Sequence, residues 1–207
     1  MTLAVEGISY REDLEAWWPL YDHAPVKCMQ FVRRGLPAID VVAGLCKRRR
    51  ECVQAGGHAG FWPKSLAKYF QHVHTFEPEA ALFQCMRLNC KQANVAMYQI
   101  GLGAAAGTAR FRSHISAGSW RVDDAGDREI SMTTIDSLNL TRCDAILLDI
   151  EGHEVHALEG ARQTVDRSSP IILCELLPRS RDAIEAWLLA AGYRRASTFG
   201  RDGVYAR

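Results

Sequence analysis

The sequence predicts a doubly wound α/β domain, a mostly parallel sheet with helices on both faces, preceded by a helical flank over residues 1–50. Three observations carry this. From Glu51 onward, short aliphatic runs alternate with stretches of helical periodicity, the pattern of a parallel sheet covered on both sides. The run CDAILLD at 143–149 is largely apolar, as suits a strand buried on both faces. ECVQAGGHAG at 51–60 sets a glycine-dense turn between a strand and a helix, where backbone N–H groups are free for a ligand.

Residues 11–50 read as two or three short helices divided by Pro25 and Pro37. Their apolar rhythm runs through Leu14, Trp17, Trp18 and Tyr21, then Cys28, Phe31 and Val32, then Ile39, Val42 and Leu45. This flank is expected to form a lid or side wall for a main domain at 51–207. There, strand 51–55 is followed by helix 60–70, strand 72–77, helix 79–92 and strand 95–100, which Gly101 and Gly103 end. Residues 104–135 are polar, with short strands near Ala109–Arg112 and Glu129–Thr133. Strand 143–149 leads to helix 153–165, strand 170–176 and helix 180–191, with Gly192 as a stop. A closing antiparallel pair around Arg201–Gly203 occupies 193–206.

A length of 207 residues holds one well-buried domain, and 48% hydrophobic with 24% charged residues is ordinary for a globular chain. The net charge of +1 makes nucleic acid an unexpected partner. Basic clusters such as Lys47–Arg50 read as solvated helix ends or as contacts for an anionic substrate. The seven cysteines form no C-x-x-C pair, so neither a zinc ribbon nor a thioredoxin-type motif is expected. With no signal-like apolar stretch and no run of membrane-spanning length, no membrane partner is expected and a reducing cytoplasm is the simplest setting.

Ligands of such sheets sit beyond the carboxyl ends of the strands. The 54–60 turn, Glu77, the 101–103 glycines, Asp149 and Glu175 all fall at predicted strand ends. Glu77 lies twenty-one residues after Gly56, near the roughly 20-residue spacing at which an acid binds ribose hydroxyls. Gly56, Gly57 and Gly60 with Glu77 therefore suggest an adenosine-containing cofactor. Asp149 ends the strongest strand, where an unpaired buried carboxylate would be costly. It is read as a general base or a group orienting the acceptor, the ordinary alternative being a cap on the next helix. Glu175 either orients substrate or pairs with a basic residue. His153 and His156 share a helix face near Asp149, Glu151 and Glu154. No metal site is expected from them, since zinc would want more His or Cys ligands.

VQAGGHAG at 53–60, HTFEPEAALFQCMRLN at 74–89, ISMTTIDSL at 130–138, AILLDIEGHEVHALEGA at 145–161 and PIILCEL at 170–176 resemble the FkbM-type methyltransferases. The D-x-E-G-x-E stretch followed by L-x-G-A is the most specific part. The resemblance implies a class I, Rossmann-like methyltransferase sheet, S-adenosylmethionine as cofactor, and transfer to oxygen on a small molecule or saccharide. It implies cofactor contacts from Gln54, Gly56, Gly57, His58, Gly60, Glu77, Pro78, Leu102 and Ser119, and it sets Glu151 near the active site. Asp149 and Glu151 are read as catalytic, and His153 as an auxiliary base, the ordinary alternative for it being a surface or core histidine. Two positions depart from the usual pattern: Gln54 stands where an acid is common, and His58 where the second glycine is. Two rivals remain: a nicotinamide-dependent oxidoreductase, and a non-catalytic module with the same fold. The first lacks a full G-x-G-x-x-G, Ala55 standing at its first glycine, and a Tyr-x-x-x-Lys pair.

Overall fold

The computed structural model describes residues 7–207, so the start of the expected flank, residues 1–6, lies outside the described residues. A hairpin of β1 (Ile8–Arg11) and β2 (Ala16–Pro19) leads to helices α1 (Pro25–Gly35) and α2 (Pro37–Leu45). There follow β3 (Glu51–Ala55), α3 (Phe61–Leu66), β4 (His72–Phe76), α4 (Ala80–Asn89) and β5 (Val95–Tyr98). A small second sheet uses β6 (Gly101–Leu102), β7 (Gly107–Arg112), β8 (Arg121–Val122) and β9 (Arg128–Thr133). The chain then returns through β10 (Ala145–Leu148), α5 (Glu154–Glu159), α6 (Arg162–Ser168), β11 (Ile171–Glu175), α7 (Arg181–Ala190), β12 (Arg194–Phe199) and β13 (Asp202–Ala206).

The hairpin corrects the expectation of helix from residue 11. Leu14 and Trp18 are both buried and four apart, which mimics a helical stripe, but Leu14 belongs to the turn and Trp18 to the returning strand. Glu15 adopts a left-handed φ of 53° to reverse the chain. The hairpin is anchored by Asn89 of α4, whose Oδ1 accepts from Trp17 N at 2.8 Å and whose Nδ2 donates to Trp17 O at 2.9 Å. Pro25 and Pro37 do divide the rest of the flank, each in the first turn of its helix, where a missing N–H costs nothing.

The main sheet has seven strands in the order β12-β13-β11-β10-β3-β4-β5. Strands β5, β4, β3, β10 and β11 are mutually parallel, and β13 runs antiparallel between β11 and β12. Both faces of β10 are buried. Ile146 and Leu148 pack with Leu158, Val165 and Ile184 on one side, while Ala145 and Leu147 meet Ile39, Val42 and Leu66 on the other. Helix α2 therefore belongs to a layer covering the sheet. The strand order reverses between β3 and β10, because the chain goes outward through β4 and β5 before coming back to the other side of β3.

The helix expected at 153–165 is two, α5 and α6, broken at Gly160–Ala161. The Gly160 carbonyl accepts from Asp136 N at 2.8 Å, and the Asp136 carboxylate takes Gln163 N (3.0 Å) and Thr164 N (2.8 Å) at the start of α6. A Cβ at Gly160 would collide with the Gly103 carbonyl. Gly160→Ala is accordingly expected to cost about 1–3 kcal/mol of unfolding free energy. Gly44→Ala meets open space inside α2 and should leave stability unchanged or raise it by up to about 1 kcal/mol. Denaturant titration of the two variants checks the contrast.

Candidate active site

A cleft of about 830 Å³ opens where the strand order reverses, beyond the carboxyl ends of β3 and β10. The two strand ends touch there through their backbones. Asp149 N donates to Ala55 O at 3.2 Å, and a Cβ on Gly56 (φ 83°) would collide with Asp149 O. Only glycine fits this position. Gly56 N and Gly57 N both donate to Phe76 O, at 3.1 and 2.9 Å, which turns the loop over the end of β4.

Glu77 joins this loop to the next helix. Its Oε2 accepts from His58 N at 2.8 Å and its Oε1 from Glu79 N at 2.9 Å. Burial pushes its carboxyl up to about 7, against the pull of those two donors. His58 sits at φ 48°. Burial lowers its imidazole to about 4, so the ring is neutral at physiological pH, and Nδ1 is sealed from solvent without a partner among the described residues. Its Nε2 lies 3.6 Å from Cys28 Sγ of α1. Phe76, Ile100 and Leu102 form an apolar wall beside Glu77 and Pro78.

The other end of the cleft is acidic. Asp149, Glu151, Glu175 and Asp202 all line it, the first two from the loop that follows β10 and the others from the end of β11 and the start of β13. Glu175 is 4% exposed, with Oε1 3.1 Å from an Arg201 guanidinium nitrogen. Arg179 donates to the carbonyl of Glu151 at 2.6 Å, which holds Glu151 at a left-handed φ of 54°. Burial, followed by the charges of Asp149 and Glu151, pushes Glu175 up to about 9. Burial and then Asp149 bring Glu151 and Asp202 each to about 7. Asp149 is raised too, burial outweighing the opposing Arg201.

The family model for the methyltransferase FkbM domain matches residues 54–195. The chain belongs to the FkbM methyltransferase family. A solved methyltransferase FkbM from Methylobacillus flagellatus KT is similar at 19% identity and a TM-score of 0.58, over 79% of this chain and 45% of that one. The chain thus spans less than half the length of that relative. A precorrin-6y C5,15-methyltransferase from Geobacter metallireducens GS-15 shares the fold at 10% identity and a TM-score of 0.50, over 82% of this chain and 85% of its own. No curated protein matches the chain.

Within this FkbM domain, Gly56, His58, Glu77 and Pro78 line one cleft together with Leu102 and Ser119. Asp149, Glu151 and His153 line the same cleft. Gln54, Gly57 and Gly60 do not. Gln54 is 1% exposed and turns away, donating to Ala55 O (3.1 Å) and Gly56 O (2.8 Å) and accepting from Thr75 Oγ1 (2.5 Å). It braces the glycine loop from behind. Gly57 faces Met86 and Thr75, and Gly60 the backbone of Met86, so both give α4 room to approach. Asp149 caps no helix: the N–H groups of Ile150 and Gly152 donate instead to Glu154 Oε1, each at 3.1 Å. His153, its ring centroid 4.5 Å from that of His156, is lowered to about 4 by burial and then by its neighbour.

The sequence does not single out Arg201 and Asp202 as site residues: Arg201 lies in the turn of the expected closing pair and Asp202 opens β13. Trp120 and Phe31, which also line the cleft, carry no local signal beyond their size. Glu175 was recognised as a strand end, and its basic partner is Arg201.

Asp202 gives the fold a measurable pH dependence. A carboxyl that holds its proton more tightly when folded stabilises most below its ordinary value of 3.8, and loses that contribution as pH rises through its folded value of about 7. His58 and His153, lowered to about 4, act in the opposite direction, so the comparison with Asp202→Asn isolates this contribution: in thermal melts between about pH 4 and pH 8 the Tm of wild type relative to that variant should fall as pH rises.

Proposed function

We propose that the protein transfers a methyl group from S-adenosylmethionine to an oxygen of a small molecule or saccharide. The observation that carries this reading is the meeting of Gly56 and Asp149 at the strand-order reversal, with Glu77 and an apolar wall on one side and a carboxyl-lined floor on the other. Family membership supports the methyltransferase chemistry. The residues present fit an adenosine-bearing donor. Glu77 keeps lone pairs for ribose hydroxyls beyond its two backbone donors, and Leu102 with Pro78, Ile100 and Phe76 offers adenine an apolar surface. The sealed, unpartnered Nδ1 of His58 lies in the loop where a polar cofactor group would pass.

S-adenosylmethionine, when bound, supplies a methyl carbon made electrophilic by its sulfonium. The chain's part is to hold an acceptor hydroxyl in line and take its proton. Asp149 is the base in this reading: it lines the cleft, caps nothing, and its affinity for a proton is raised by burial. Glu151 orients the acceptor from the adjoining left-handed turn. His153, neutral at physiological pH, accepts a hydrogen bond and serves as an auxiliary.

Asp149→Asn is expected to leave S-adenosylmethionine affinity within a few-fold of wild type and to lower turnover by about 10²–10⁴-fold. Glu77→Ala should instead weaken cofactor binding by about tenfold to a hundredfold, the worth of lost hydrogen bonds to a charged group. Calorimetry with S-adenosylmethionine and NAD, followed by a mass-shift screen of sugars and small hydroxylated acceptors, measures both. Binding of NAD without binding of the methyl donor would overturn the reading. Donor binding with no transfer to any acceptor would favour a non-catalytic module.

A further inference from the structure

We propose that Asp149, Glu151 and Glu175 form a binding site for a hard divalent cation such as Mg²⁺ or Mn²⁺ at the acidic end of the cleft. No metal was expected from the sequence, because the histidines beside Asp149 make a poor ligand set. The fold assembles a different one, from the end of β10, the turn after it and the end of β11. One oxygen from each of the three carboxylates lies within 4.8 Å of the others. Three points so spaced share a centre no more than about 2.8 Å from each, and small side-chain rotations reduce this to the roughly 2.0–2.6 Å of Mg–O and Ca–O bonds. An all-oxygen set selects hard ions over zinc.

A second observation stands apart from the clustering. Glu175 is 4% exposed, and its Oε2 is sealed from solvent without a hydrogen-bond partner among the described residues. A dry carboxylate oxygen with no donor is costly to keep, and this carboxylate is turned into the trio. Its Oε1 has Arg201 as partner, but that side chain is 62% exposed. Arg179, 3.9 Å from Glu151 Oε2, is 55% exposed. Arg201 sits at the mouth and can swing into solvent, leaving Glu175 to an ion, while Arg179 stays on the Glu151 carbonyl and reaches the Glu151 carboxylate only at 3.9 Å. Glu154, fully buried on α5, also leaves its Oε2 unpartnered while its Oε1 fixes the 150–152 turn that carries Glu151.

A cation here would hold the acceptor oxygen and favour its ionised form. That role rests on the methyltransferase reading, whereas the binding of the ion does not. The test is therefore Mn²⁺ titrated into the full chain with no donor or acceptor present, with free Mn²⁺ read by electron paramagnetic resonance. One site is expected, displaced by Mg²⁺. Glu175→Gln and Glu151→Gln should each weaken it about tenfold or more, since affinity follows the count of ligand charges, and Arg201→Ala should tighten it. Thermal melts show which variants fold, and either carboxamide variant alone carries the test. Absence of binding to the wild-type chain at millimolar Mn²⁺, or unchanged affinity in the folded carboxamide variants, overturns the site. Calorimetry with S-adenosylmethionine on the same samples separates this outcome from failure of the methyltransferase reading.

Discussion

The backbone contact between Gly56 and Asp149 is the constraint on which the rest of the site depends. Parallel pairing of β3 with β10 brings Ala55 opposite Leu148, so the next residue of each strand must pass its neighbour with no room for a side chain on Gly56. Once that contact is made, the chain after β3 has to turn toward β4 and the chain after β10 toward β11. The cleft is the space these two departures leave. Its two chemical characters follow from which strand each wall belongs to: the β3–β4 side brings backbone donors and apolar surface, and the β10–β11 side brings carboxyls.

Burial acts on acids at both ends of this cleft, but the compensation differs. Glu77 is met by two backbone N–H groups at 2.8 and 2.9 Å, a local arrangement that any conformation of the neighbouring loop must respect. Glu175 is met by one solvent-exposed arginine, with one oxygen left without a partner among the described residues. The first is a fixed structural tie that also presents a polar edge. The second is an unsettled charge, whose balance depends on what occupies the space in front of it. Electrostatics thus divides the cleft into a preorganised half and a responsive half.

Much of this was legible in the chain. Strands buried on both faces read as continuous apolar runs, glycine marks the position where backbones cross, and the Gly56–Glu77 spacing follows from one strand–helix–strand unit. Features set by distant contacts were not legible. The hairpin at the start of the described chain was hidden because Leu14 and Trp18 share helical spacing but are held in place by α4 through Asn89. The break between α5 and α6 depends on Asp136, which reaches across from another loop. The inward turn of Gln54 depends on Thr75 in the adjacent strand. The gathering of Glu175, Arg201 and Asp202 needs the strand order itself, which no local pattern encodes.

That strand order carries a consequence for how the chain comes together in time. Strand β13, the last described, lies between β11 and β12, and β12 has no other neighbour in the sheet among the described residues. During vectorial synthesis β11 emerges with one edge open, and β12 has nothing to pair with until β13 follows it. The same late strand delivers Asp202 to the cleft, with Arg201 in the turn just before it. Closure of an aggregation-prone edge and completion of the acidic wall are thus a single event, and a nascent chain cannot display a finished pocket on an unfinished sheet.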